Sequence, residues 1–516
     1  MAIKNIIKSV FVILGFTVIL KIIGFVMRVI LSRTLGASAL GVYQIALSFF
    51  GVICTVVASG IPVTISHISA KCGVNNDYRK EGMYVSSGLI ISVLCSLILS
   101  ILVLLFKPLI IKTSNEISFN VLFILIPAIF ATAIYGCFRG ALWGREKHIA
   151  NCLAELGEQG IRMILFIILL SNVTNTTKAT YLAGLSLCIS CFISMFISII
   201  YYKKYGGKLY NPKNEFRNFL KTSGTITLTR VVTSCLQPII SIILPLRLVK
   251  AGYSQDLAMS MFGIAMGMTF PLLALPNTIC GSFATAIIPE ISSLVEKKNY
   301  EEFNNKIRLA ITITLFTCFC FVPLFLGLGQ PLGILLFNDA TSGYLLTISA
   351  WTMIPAGLSM ITNSILNILN MERHGFISYL ISSIFILACI WFLPKYCGIT
   401  SVIVGMGGSF AISSVFNLYF IIKKTKVENI IFRPLVLMII FSIATSLLGS
   451  HLYGIFKYLM PNFFNLCLTD SISCGLFALL CLLFNIIDLK SLLKDFNIVK
   501  SLKIRRKKKK IWVFFI

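Results

Sequence analysis

Fourteen apolar runs, each close to the ~20 residues a helix needs to cross a bilayer, divide this sequence from end to end. They fall at 10–33, 41–66, 83–106, 118–140, 150–171, 179–202, 218–246, 257–289, 309–328, 342–369, 375–394, 398–422, 434–456 and 465–487. In hydrocarbon a backbone must satisfy its own hydrogen bonds, and separate runs of this length do so as helices. The expected fold class is therefore all-α and polytopic. Composition agrees: 57% of the 516 residues are hydrophobic and 12% charged, with a mean hydropathy of +0.92, against roughly 25% charged in a soluble domain. Boundaries are hardest to place at 257–289, broken by Pro271 and Pro276, and at 321–345, split by Gly327, Gly329, Pro331 and Gly333. Twelve or thirteen spans also fit there. Lys21 interrupts the first run and no small-x-small cleavage site follows, so it is expected to remain as a span.

The net charge of +27 raises nucleic acid as a partner. The placement of the bases argues against it. With the N-terminus cytoplasmic, inside segments hold 32 of the 45 Lys and Arg, outside segments 8, and the spans 5. Such a bias orients membrane helices. It predicts an even number of spans with both ends in the cytoplasm and the whole in a bacterial cytoplasmic membrane. The basic tail Lys503–Lys510 then lies against the anionic inner leaflet, and the closing Ile511–Ile516 is too short to span. Sixteen cysteines sit mostly within apolar runs. The pair Cys188 and Cys191 has no second pair, and His67, His148, His374 and His451 are scattered. Neither a disulfide framework nor a metal site is expected.

An internal repeat is visible. Glu146-Lys-His148, after the fourth span, matches Glu372-Arg-His374, after the tenth, at an offset of 226 residues. The course through Ile61-Pro62 to Ser69 resembles that through Ile288-Pro289 to Ser292. Two parallel six-span units plus two further spans account for fourteen, and parallel repeats place a substrate site between the halves.

Charges inside spans are costly, about 2.5–3.5 kcal/mol each at the centre, and mark functional candidates. Lys21 and Arg28 lie two turns apart on one face of the first span; snorkelling toward the helix ends is the alternative. Arg139 closes the fourth span. The fifth carries Glu155, Glu158, Gln159 and Arg162, where Glu158 and Arg162 form an i,i+4 pair that can brace the helix or face a cavity. The seventh carries Arg230 and, beyond it, Gln237. Five cations against two anions, Glu155 and Glu158, make a cavity suited to an anion, and a diphosphate fits because Lys and Arg both bind phosphate oxygens. No phosphate-binding G-x-x-x-x-G-K-[ST] loop is present, so transport would draw on the membrane potential or on a coupling ion, Na+ or H+. No convergent carboxylates or metal motif marks an enzyme.

In order and spacing, Lys21-Ile-Ile-Gly24 with Arg28, Arg33-Thr-Leu-Gly36, Gly41-Val-Tyr-Gln44, Ser59-Gly-Ile-Pro62, Phe138-Arg-Gly140, Glu158-Gln159-x-x-Arg162 and Ile288-Pro-Glu-Ile-Ser292 resemble a known family. It is the stage V sporulation protein B group of polysaccharide biosynthesis flippases, related to the lipid II flippase MurJ and the MATE exporters in the MOP superfamily. The resemblance implies a monomeric flippase that carries a polyprenyl-diphosphate-linked sugar, for peptidoglycan, spore cortex or another polysaccharide, by alternating access. Two lobes, 1–205 and 206–425, would rock about the cavity; 426–490 would add two helices along the lipid tail, and 491–516 the basic cytoplasmic tail. Where MurJ proteins resemble R-x-x-G-F-x-R-D, this chain reads Lys21-Ile-Ile-Gly-Phe25-Val-Met27-Arg28, and Met268-Thr-Phe-Pro271 lacks the arginine of their eighth span. A cation-coupled MATE-type multidrug exporter is the competing expectation.

Overall fold

The computed structural model describes residues 2–75, 77–171, 173, 175–212, 216–296, 300–425 and 432–486. The basic tail and the closing Ile511–Ile516 lie outside the described residues, as do the side chains of Ile288, Pro289 and Glu290. Among the described residues every regular element is helical. The chain divides into two compact units, one of residues 1–271 with 387–402, the other of residues 272–386 with the remainder.

The first unit opens with α1 (Ala2–Ala58), α2 (Gly60–Asn75), α3 (Tyr78–Leu105), α4 (Lys107–Thr113), α5 (Glu116–Ile124) and α6 (Ile126–Gly144). It continues with α7 (His148–Leu170), α8 (Thr176–Lys204), α9 (Phe216–Ser234), α10 (Leu236–Lys250) and α11 (Gln255–Gly263). A π-helical turn, Ile264–Thr269, leads into α12 (Phe270–Leu273), where the boundary falls. The second unit holds α13 (Leu275–Glu296), α14 (Tyr300–Cys320), a π-helical turn at Pro323–Gly327, α15 (Leu328–Phe337), α16 (Ala340–Ser349) and α17 (Met353–Ile368). The helix α18 (Glu372–Phe392) crosses the boundary, α19 (Pro394–Cys397) belongs to the first unit, and α20 (Thr400–Thr425), α21 (Phe432–Phe456) and α22 (Asn462–Leu483) complete the second.

Among the described residues, twelve stretches are long and apolar enough to cross a membrane. The first, Gly15–Asn75, has 61 residues and would extend ~90 Å if straight, about three hydrocarbon thicknesses. It breaks at Gly36, with φ 71° and ψ 175°, a region open essentially to glycine alone. The two expected runs therefore adjoin at Gly36, and the second continues through the break at Ser59 between α1 and α2. The seventh run is also broken, at Cys235 between α9 and α10, one turn ahead of Pro238. Residues 321–345, the least certain stretch of the sequence, are helical except around Asn338, which ends α15 at φ 55°; the crossing extends to Phe337 rather than 328. At 257–289 the chain bends through the π-helical turn before Pro271.

Packing inverts the soluble pattern. On α3, Ser87, Ser92 and Ser96 are fully buried while Leu94, Leu97, Ile98 and Ile101 are exposed, so the polar stripe faces protein and the apolar one the hydrocarbon. On α8, Ser186, Ser190, Ser194 and Ser198 repeat every four residues and are buried. Each bonds a carbonyl three or four residues back in its own helix, at 2.6–3.0 Å. Small hydroxyls satisfied this way let helices approach closely in the membrane. The same logic brings α1 onto α11: a Cβ on Gly41 would strike the Met259 carbonyl, and one on Gly263 the Ala37 carbonyl.

The repeat changes register. The turn after α6 places Glu146 at φ 59°, with Glu146 N–H donating to Trp143 and Lys147 N–H to Leu142. The turn after α17 places Asn370 at φ 56°, with Asn370 N–H donating to Asn367 and Met371 N–H to Leu366. The equivalent residues are 224 apart, not 226, so His148 matches Glu372, the first residue of the following helix in each case. The same hydrogen-bond pattern closes helices at Gly206, Gly252 and Asn485. It marks a helix end of the Schellman type rather than a repeat.

Candidate functional site

The cations of the first unit separate into paired and unpaired. Arg162 on α7 closes onto Glu158 one turn before it, as the i,i+4 spacing predicts, and its Nε donates to Ser190 Oγ on α8 at 3.1 Å. Arg139 on α6 meets Glu155 of α7 at 3.0 Å, with its guanidinium 4.8 Å above the Trp143 ring. Both glutamates are thereby neutralised by an arginine. Lys21 and Arg28 on α1 have no ion-pair partner among the described residues, and both side chains are exposed. The Arg230 side chain on α9 donates to the Ser59 carbonyl, at 3.4 Å. That carbonyl lies at the C-terminal end of α1, where a helix presents partial negative charge.

Lys21 and Arg28 flank the place where α1 meets α7. Gly24 shares their face, and a Cβ there would stand 3.3 Å from Gln159 Oε1, a buried acceptor with no hydrogen-bond partner. The bend at Gly36 folds the second limb of α1 back, so that Tyr43, seven residues past the bend, comes within electrostatic range of Arg28, eight before it. Tyr43 is 3% exposed and is also in range of Arg162. The site thus comprises Arg28, Tyr43, Gln159 and the Glu158–Arg162 pair, with Lys21 two turns along the same face. Gln237 is exposed in the first turn of α10, beyond the break at Cys235.

Sequence reasoning missed three features. Tyr43 stands in Gly41-Val-Tyr-Gln44 without a charge to draw notice. Asp470, on α22 in the second unit, is a third acid within a span, beyond the two counted from the sequence; its Oδ1 accepts from the Cys474 thiol at 3.3 Å. Glu81, 1% exposed, holds Arg145 with both oxygens, and Arg145 Nη1 donates to the Tyr205 carbonyl at 2.7 Å. Among the described residues, no cluster of His, Cys, Asp and Glu is arranged to hold a metal ion. A cavity of about 370 Å³ lies at the Gly36 bend, lined by Ser38, Asn115, Thr176, Thr180 and Asp256 among others; no Lys or Arg lines it.

Among the described residues, an all-helical body with a dozen apolar stretches long enough to cross a bilayer, one of them carrying two cations without ion-pair partners, has the architecture of a multi-span membrane protein. Solved structures share the fold. The lipid II flippase MurJ in an inward closed conformation superposes with a TM-score of 0.68 at 16% identity, covering 91% of this chain and 98% of that one. An inward-facing multidrug resistance MATE family transporter of the MOP superfamily gives 0.66 at 15% identity, covering 79% and 94%. The chain belongs to the polysaccharide biosynthesis protein family, whose model matches residues 6–295. Stage V sporulation protein B of Bacillus subtilis (strain 168) is 24% identical over 330 residues, 61% of this chain and 64% of that protein, so the match spans just under two thirds of that relative.

Proposed function

We propose that this protein flips an anionic, polyprenyl-diphosphate-linked sugar precursor across the bacterial cytoplasmic membrane by alternating access. The observation that carries the proposal is the unpaired state of Lys21 and Arg28. A cation placed within a membrane span without a partner is unfavourable unless a ligand or water completes it. Arg139 and Arg162 already have glutamates, so Lys21, Arg28 and the loosely held Arg230 supply the positive charge left over for a diphosphate. Arg28 is its principal contact, Tyr43 supplying a hydroxyl beside it. Membership of a polysaccharide biosynthesis family supports a glycan-bearing lipid.

Taking the bend at Gly36 as the join between two crossings, and α7 as a crossing despite its three charges, the twelve stretches become fourteen. Both termini then lie in the cytoplasm, as the loop charges require. The chain acts as a monomer without an enzymatic step, its lobes at 1–205 and 206–425 rocking under the membrane potential or a Na+ or H+ gradient.

A deletion strain tests this. Extraction of its lipids should show one polyprenyl-diphosphate-linked intermediate accumulating on the inner leaflet, cleared by the wild-type gene and not by Arg28→Ala. Unchanged lipid pools together with lost efflux of a cationic dye would instead establish a MATE-type exporter, the function of one neighbour in fold.

A further inference from the structure

The second unit contains a half-open cavity of about 330 Å³ lined by α13, α17, α18 and α20. This is within the range of roughly 300–1,000 Å³ typical of small-molecule sites. Its polar lining is Asn277, Ser359, Asn363, Ser364, Tyr379 and Ser413, and Phe410 and Met360 supply apolar surface. No Lys, Arg, His, Asp or Glu lines it.

Several of these groups are not used up by the fold. Asn277 Oδ1 is buried and has no hydrogen-bond partner. Asn363 is exposed to the cavity and its amide oxygen faces Gly375, where a Cβ would crowd it. Ser359 donates to Ser413 at 3.1 Å, bridging α17 and α20 and leaving the oxygen of Ser413 with lone pairs to spare. One turn deeper, Asn417 donates to Thr362 at 3.2 Å, and its Oδ1 is again buried without a partner. Amides and hydroxyls gathered in a membrane-embedded body are costly when unsatisfied. Asn363 is open to the cavity, whereas the Asn277 and Asn417 oxygens have no accessible surface and are polar packing around it.

The chemistry narrows the ligand. A phosphate finds no cation here, and a metal ion or drug cation finds no carboxylate. Amide groups that both donate and accept, hydroxyls of either polarity and a Phe ring beside them suit a neutral, hydroxyl-rich ring. We propose that this cavity binds the uncharged glycan moiety of the substrate. The inference rests on the flippase proposal above, and the sugar site is a separate element from the cations of the first unit.

The test measures binding of two lipids to the purified full-length protein in nanodiscs: polyprenyl diphosphate, and the same lipid bearing an N-acetylated disaccharide. Wild type should bind the glycosylated lipid at least about tenfold tighter. Asn363→Leu and Ser413→Val should bring that ratio close to unity while affinity for the bare lipid stays within about twofold. Arg28→Ala should weaken both lipids alike. Bare-lipid affinity serves as the control for folding. If a variant loses it, Asn363→Gln, which removes no contact made by the described residues, carries the same comparison. A ratio unchanged in the cavity variants, or near unity in wild type, overturns the sugar site and leaves the flippase proposal standing. Failure of wild type to bind either lipid overturns both.

Discussion

Glu81 and Arg145 form a bidentate pair, with Nε to Oε1 and Nη2 to Oε2 both at 2.7 Å, that ties the start of α3 to the turn between α6 and α7. The arginine is also stacked on Tyr78 and Tyr202 and bonded to the carbonyl that ends α8. Removing one partner of such a buried pair leaves the other charge uncompensated, at a cost of about 3–5 kcal/mol. Glu81→Ala should therefore lower the thermal unfolding midpoint in detergent more than any single substitution of Lys21 or Arg28. An unfolding curve that superimposes on wild type would show the pair to be ornamental.

Lys21 and Arg28 behave in the opposite way. Neither has an ion-pair partner among the described residues, so alanine at either position breaks no salt bridge and should leave expression and melting unchanged. Flipping should fall by at least about tenfold for Arg28→Ala and by less for Lys21→Ala, since only Arg28 stands beside Tyr43. Arg28→Lys should restore part of the activity, because an ammonium keeps the charge and loses the two-pronged geometry. The measurement is accumulation of the lipid intermediate in a strain carrying each variant as its only copy.

For Glu158 and Arg162 a double-mutant cycle separates bracing from substrate contact. Residues in direct contact couple by about 0.5–3 kcal/mol. If the pair is a brace, Arg162→Gln should be more destabilising than Arg162→Gln combined with Glu158→Gln, because the double variant leaves no orphaned carboxylate. Additive losses in melting temperature would place the two side chains in independent roles.

Gly36 is predicted to be intolerant. Its φ of 71° and ψ of 175° would strain any L-residue by about 1–3 kcal/mol, although a Cβ there meets no atom within 4 Å. Gly36→Ala should thus reduce folded yield through backbone strain alone. Gly15→Ala, with open space around it and no strained φ, is the control.

Much of the fold was legible in the sequence because bilayer thickness sets run length. The five intramembrane cations, the two glutamates and the Glu158–Arg162 pair could be read directly from spacing. What spacing could not convey was partnership across helices. Arg139 gives no sign in sequence of reaching Glu155, and Glu81 lies just ahead of an apolar run, where it reads as a loop charge. Gln237 looked like a companion of Arg230, yet a break at Cys235 separates them. The 226-residue offset follows identity of charged side chains, whereas the two turns share a helix-closing backbone conformation at Glu146 and Asn370 that other helix ends also adopt. Asp470 went uncounted amid its apolar neighbours.

The serine stripe of α8 has a mechanical implication. Each hydroxyl is spent on its own helix, so the seam between α8 and α7 has no ladder of cross-links to hold the two in register. Among the described residues, one side-chain hydrogen bond crosses it, from Arg162 to Ser190. The pair resembles a rail with a single detent, and the residue that forms the detent is the same one that grips Glu158. Drawing Arg162 away would break its bond to Ser190 and its pair with Glu158 together.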